Sequence, residues 1–346
     1  MEGTIPAFRE KGNCAYWADQ SLWAEGGRIA AQIRITHLAR RKVRSLDTED
    51  FLNKALELEQ YADGRMAFYI VSHPTWPWAS LSKGIGKENF PKVVGLIEKF
   101  GRFYLPGHPR IPYYVSRPPE TYYEEAREGE EPTETIMVGK KEVKLVAREG
   151  IWVAGIERLV TPSALWKYSG MDVDPLTGRA PKRARGKKLG FNMELRTMLY
   201  RLATSFIKIP DGVWRGLYER DREDIEAKAA QQGKKIIPTP AGRLCPECLV
   251  EVTGKGVRGT LKFCPTCDSK LVLKEEPPGV LYIGHVYQMA LREMIKQWEV
   301  CLWLVWRQAL GLPITQPYSV AHLGHKPIDP WEMVDRERSK VGENTE

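Results

Sequence analysis

Four of the six cysteines constrain this chain more than any other feature. Cys245, Cys248, Cys264 and Cys267 are spaced as C-x2-C, fifteen residues, C-x2-C. A redox dithiol needs only one such pair; two matched pairs, in RLCPEC and KFCPTC, read as knuckles that wrap four thiolates around one tetrahedral ion. The spacer VEVTGKGVRGTLKF supplies two short strands about a Gly-rich turn, which gives a zinc ribbon. The expected ion is one structural Zn2+ per chain, because four thiolates leave no open position for water. Cys14 and Cys301 stand apart, and Cys301 lies on an apolar helical face as a core residue.

Length and composition set the frame. With 346 residues, 42% of them apolar and eleven Trp, the chain has material for two or three folded domains. Six cysteines in that length exclude a disulfide scaffold. No apolar run approaches the ~20 residues that span a bilayer. The nearest, Val300 to Trp306, is short and flanked by charge, and the N-terminus lacks the order of a secretory signal. The expectation is a soluble cytoplasmic protein with no membrane partner.

Charge is concentrated. Between Arg179 and Arg215 ten Lys or Arg face two acids, a local +8 that equals the formal charge of the whole chain. The loop GRAPKRARGKK carries Arg179, Lys182, Arg183, Arg185, Lys187 and Lys188 with no apolar anchor, so it is free to track a phosphate backbone. It feeds into a helix capped by Asn192, on which Leu195, Leu199, Leu202, Ala203 and Phe206 line one face and Arg196 points elsewhere.

The remaining segments divide as follows. Residues 1–75 read as a helical hairpin: a helix over Arg28–Arg44 with Ile29 and Ile33 on its face, then a second capped by Asp47 or Thr48 and running to about Val71. A structural helix pair and a dimerising coiled coil fit that pattern equally, the latter implying a homodimer. Residues 76–103 resemble a helix-hairpin-helix, where Gly84, Gly86 and Lys87 of GIGK let backbone amides approach a phosphate. Residues 104–150 form an inserted Pro/Tyr-rich excursion with seven Glu between Glu120 and Glu134 and a weak hairpin over residues 136–147. Residues 151–235 form a basic helical core, opening on a helix pair (VAGIERLV, then a helix capped by Thr161 with Pro162 first) and ending in a charged connector. The ribbon occupies 236–278, and a long helix from about Ile283 to Leu310 with a charged tail completes 279–346. His285 reads as a cap or core contact, and His322-x-x-His325 lacks a third ligand.

The segments TPSALWKYSGM, TGRAPKRARGKKL and N-x-x-LRTMLYRLATSFIK, in that order, resemble the C-terminal half of the DEDD transposases of insertion sequences (the one-ten group). GHVYQMALREMIKQWEVCLWLVWRQ resembles the last helix of that half, so the likeness extends over roughly Arg28 to Arg307, interrupted by the excursion and the ribbon. It implies a mainly α DNA-binding core. Thr177, in PLTG, falls where the family carries its serine nucleophile, and Gly190 is displaced by Phe191 from the family's Gly-Asn pair. No segment corresponds to the family's RNase-H-like domain with its four metal-binding acids.

The fold class expected is therefore mainly α: a helical hairpin and a helix-hairpin-helix-type core with a small β zinc ribbon inserted. The expected function is DNA binding, or binding of structured RNA, without catalysis by this chain alone. Two other functions compete with it. One is an active recombinase using Thr177 with a catalytic domain in trans. The other is a protein-interaction module built on the ribbon and the acidic excursion.

Overall fold

Small side chains decide how the chain begins to pack. The computed structural model describes residues 13–174, 178, 180–182, 186, 188–252, 255–256, 259–260, 262–273, 276–315 and 328–336. Helices α1 (Asn13–Arg40) and α2 (Leu46–Ile70) run antiparallel, with Trp17 on Tyr61, Ser21 on Asp63 and Arg28 on Glu59. Their seam is built from Ala18, Ser21, Ala24 and Ala31 against Ala55, Ala62 and Met66, all buried. Residues this small let two backbones approach closely. The helix therefore begins at Asn13 rather than Arg28, and the Ile29 and Ile33 face read from the sequence lies towards solvent. Ser45, in extended backbone, is the N-cap of α2; Asp47 and Thr48 sit inside its first turn.

The short α3 (Trp76–Ala79) and α4 (Asn89–Glu98) follow. Every residue of α4 from Phe90 to Ile97 is buried, including Lys92, whose ammonium pairs with Asp63 at 3.2 Å. Gly95 is required by contact: a Cβ there would lie 2.5 Å from the carbonyl oxygen of Cys14 on α1.

The excursion is more regular than its composition implies. Strands β1 (Arg102–Tyr104), β2 (Glu120–Glu125), β3 (Glu134–Val138) and β4 (Lys141–Val153) make a four-stranded antiparallel sheet in which the long β4 pairs with all three others. The β3–β4 turn falls at Gly139, with φ of 65°, next to Lys140 as the sequence indicated. The acidic run is used locally: Arg148 pairs with Glu124 and Glu130, and Lys141 with Glu125. Because β4 extends to Val153, the first helix of the expected pair shrinks to the single turn α5 (Gly155–Arg158). A Cβ on Gly155 would collide with the carbonyl oxygen of Ile97, so α5 is held against α4 by backbone contact.

Helix α6 (Pro162–Ser169) has the cap read from the sequence: Thr161 Oγ1 accepts from the Ala164 amide at 3.1 Å. Gly170 ends it in the left-handed region, with the Met171 amide donating to Trp166 O, the Schellman closure. Helix α7 (Met193–Phe206) follows the Asn192 cap.

Contacts divide the chain into two units, Met1–Ser205 with Trp298–Glu346, and Phe206–Gln297. In the second unit, α8 (Val213–Gln231) replaces the expected charged connector, its exposed face carrying the i,i+4 pairs Arg215–Glu219 and Arg222–Glu226. Strand β5 (Lys235–Ile237) leads into β6 (Arg243–Leu244), β7 (Glu251–Val252), β8 (Lys255–Gly256), β9 (Gly259–Thr260) and β10 (Val272–Leu273). Strand β11 (Val280–Tyr282) returns parallel to β5, and α9 (Ile283–Ala309) closes the order of elements. Ile225, Ala229, Ile236, Leu281 and Val286 form the core beneath this parallel seam. His285 is exposed and pairs with Glu276 at 2.9 Å, a surface contact rather than a core one. The part of α9 within the first unit is almost wholly buried, with Trp298, Leu302, Trp303 and Trp306 inside beside Cys301, the core residue read from the sequence. His322 and His325 lie outside the described residues.

Two buried acid–base groups of the first unit carry a pH signature. Burial pushes Glu98 up to about 8, opposed only by the Ala15 amide, and pulls His73 down to about 3. Their side chains stand 3.8 Å apart, both neutral at pH 7. Glu98 contributes stability that is full below its unfolded value and lost as pH rises towards 8; His73 contributes stability lost as pH falls towards 3. The urea midpoint is therefore expected to decline between about pH 6.5 and 8, and Glu98→Gln should flatten that decline. A second expectation concerns contact alone: Gly155→Ala should cost roughly 3 kcal/mol in urea unfolding, since backbone cannot yield to the added methyl.

Candidate metal centre and nucleic-acid interface

The four cysteines converge. The potential ligand sulfurs of Cys245, Cys248, Cys264 and Cys267 all lie within 4.8 Å of one another, with Cys245 Sγ and Cys267 Sγ 3.4 Å apart. A tetrahedron of bonds about 2.3 Å long places its sulfurs about 3.8 Å apart, so the set could hold a metal ion with little adjustment.

Local backbone explains why the sulfurs meet. In each knuckle the residue after the second cysteine, Leu249 or Asp268, has a positive φ of 55° or 56°. The chain thereby turns back, the Leu249 amide donating to Cys245 O and the Asp268 amide to Cys264 O. The turns also aim amides at sulfur: Cys248 N donates to Cys245 Sγ and Thr266 N to Cys264 Sγ. Such donors favour thiolate. Hydrogen bonds from the Ser269 side chain and backbone bring Cys267 down to about 6, and those from the Thr266 and Cys267 amides lower Cys264. Cys248 is pushed up to about 12 by its hydrogen bonds to Cys267 and Cys245. Two groups of donors thus favour the deprotonated sulfurs that a cation would bind. The knuckles are carried on β6, β7 and β10, with Leu244, Val280 and Tyr282 packed beneath.

The basic segment is described in part. Thr177, Arg179, Arg183, Arg185 and Lys187 lie outside the described residues. Lys182 and Lys188 line an open cleft of about 260 Å³ together with Lys167, Asp172, Pro181, Leu189, Gly190 and Phe191. The site is assembled by α6 and the start of α7. Asn192 binds both: its amide donates to Tyr168 O at 2.7 Å, its Nδ2 to the Tyr168 hydroxyl at 2.9 Å, and its Oδ1 caps α7 through the Leu195 amide at 3.0 Å. Phe191 is fixed by this turn. A Cβ on Gly170 would lie 2.6 Å from its ring, and the Arg196 guanidinium lies over that ring at 5.1 Å. Arg196 also donates to Pro181 O at 2.7 Å, so in this structure it braces the chain leading to Lys182. Among the described residues, no ion pair engages Lys167, Lys182, Lys188 or Asp172.

The Gly84–Lys87 loop does not line this cleft. Gly84 has φ of 90°, a Cβ on Gly86 would meet only the Glu88 amide nitrogen at 4.0 Å, and Lys87 sits over the Trp76 ring at 6.0 Å. Only one helical turn, α3, precedes it. Lys167, Asp172 and Phe191 are the site residues that sequence reading missed. Lys167 stands within the apolar SALWKYS and Asp172 beyond the end of its helix, so neither belongs to a charged run; Phe191 registered only as an insertion before Asn192.

No family model, curated protein or solved structure matches the chain significantly. Among the described residues, no helix is long and apolar enough to cross a membrane.

The metal centre predicts a divided response. Cys264→Ser should lower bound metal from one equivalent per chain to well under half, read by elemental analysis. Chelation should open the ribbon to limited proteolysis within residues 236–278 while far-ultraviolet circular dichroism of the helices changes little.

Proposed function

We propose that this protein is a zinc-ribbon DNA-binding protein related to insertion-sequence transposases, binding phosphates without performing strand cleavage by itself. The observation that carries the reading is the basic cleft: three lysines that no carboxylate pairs with among the described residues face one opening, at the mouth of a segment whose charge equals that of the whole chain. Lysines held this way exchange water and small ions for phosphate, and the released counterions drive binding. Structured RNA presents the same phosphates.

A second contact supports the same reading. The Gly84–Lys87 turn delivers α4, and among the described residues no protein group accepts from the amides of Lys87, Glu88 or Asn89. Those amides, with Lys87 beside them, suit a phosphate in the manner of a helix-hairpin-helix. The ion of the ribbon is zinc in this proposal, since an all-sulfur tetrahedral set favours it and no open position serves catalysis. Thr177 is the residue that a nucleophilic mechanism would use, and such a mechanism would draw its catalytic metal site from another domain. The N-terminal hairpin leaves Trp23, Leu46, Phe51 and Phe68 exposed, and a homodimer would cover them.

The test is salt dependence. With about six phosphates neutralised, log K against log salt should fall with a slope near −5. A Lys182→Ala, Arg183→Ala, Arg185→Ala triple variant should reduce that slope by about 3 and weaken all sequences alike. Thr177→Ala should leave both unchanged. A slope near zero for the wild type would remove the nucleic-acid reading.

A further inference from the structure

The cleft contains more than phosphate contacts need. Lysines alone, on a convex surface, satisfy a phosphate row. Here Lys167, Lys182 and Lys188 surround an indentation walled by Pro181, Leu189 and Phe191, with one half-buried carboxylate, Asp172. An apolar wall gains nothing from a phosphate, but it gains from a flat ring that leaves water. Asp172 repels a phosphate, and among the described residues no cation stands within ion-pair distance of it. Its oxygens accept only, so a ligand that engages them must bring N–H or O–H donors.

We infer that this cleft takes one unpaired nucleotide of a bound strand, with guanine as the preferred base. The inference rests on the nucleic-acid reading above and names the ligand of its site. Ligand pockets for drug-sized molecules span roughly 300–1,000 Å³, so about 260 Å³ admits a single base with its sugar edge and no stacked pair. Guanine offers N1–H and its exocyclic amine side by side, a donor pair that one carboxylate accepts in bidentate fashion; thymine offers only one N–H. The three ammonium groups then hold the flanking phosphates. The wall is preformed, because Gly170 and Arg196 fix the Phe191 ring in place, and a preformed wall loses little entropy on binding.

The test uses the full chain and three labelled duplexes of equal length: fully paired, with one extrahelical guanine, and with one extrahelical thymine. The extrahelical guanine should bind about tenfold more tightly than either other duplex. Asp172→Asn should erase the preference for guanine over thymine, and any change in phosphate affinity from the lost charge should be shared by all three duplexes. Gly190→Leu fills the cleft at a position where an added Cβ meets open space, and it should erase the gain for any extrahelical base. Guanosine monophosphate in excess should compete away the guanine gain alone. Equal affinity for all three duplexes would overturn the inference while leaving phosphate binding intact, as would guanosine monophosphate binding in the cleft with no gain from an extrahelical guanine. Absence of binding to every duplex at low salt would instead remove the nucleic-acid reading beneath it.

Discussion

The first unit depends on a buried cation that, among the described residues, pairs with carbonyls and with no carboxylate. Arg307, fully buried near the end of α9, donates to the carbonyls of Ile156, Leu159 and Pro313 at 2.8 to 3.4 Å and lies against the rings of Tyr114 and Trp303. A guanidinium taken out of water costs several kcal/mol unless its donors are met, so these three carbonyls must stay where they are. They belong to α5, the loop after it and the chain leaving α9. Trp303 adds a bond to Leu159 O at 2.6 Å, Trp306 packs edge-on to His73, and Trp298 lies beside Trp78 and Phe90. One helical face therefore fixes α3, α4 and α5, and through Gly155 and Gly95 the order extends to α1.

That rigidity positions the cleft. Tyr168 on α6 donates to Leu96 O of α4 at 2.9 Å and receives Asn192 on the same hydroxyl. The turn that presents Phe191, and with it Lys188 and Lys182, is thus tied to the most buried helix of the unit. A cleft built on such a support has a wall already in place, which limits the entropy that binding of a ligand would cost.

The ribbon follows a different principle. Among the described residues its apolar core is two small clusters, Leu271 and Val252 around the cysteines and Leu244, Ile237 and Leu249 against Val280 and Tyr282, little apolar surface to hold six short strands. Coordination of an ion by the four cysteines, whose sulfurs are aimed at one another by turns at Leu249 and Asp268, would supply what the core does not. The parallel pair of β5 and β11 brings the two ends of the insertion together.

Sequence alone determined whatever depends on spacing along the chain: the four ligating cysteines, the caps at Thr161 and Asn192, the turn at Gly139, the buried face of α9 and the site of concentrated charge. Each is a local rule, in which the residues that matter are within a few positions of one another. Tertiary structure decided the rest. It selected an alanine seam over the isoleucine face of α1, because two backbones approach more closely across methyl groups than across branched chains. It extended β4 to Val153, because pairing with β1 outweighs the helical pattern that follows. It also brought Lys167, Asp172 and Phe191 to Lys182 and Lys188, a grouping made by Asn192 bonding to Tyr168 and by Phe191 lying on Gly170. No periodicity records such a contact, since it depends on where two helices end in space.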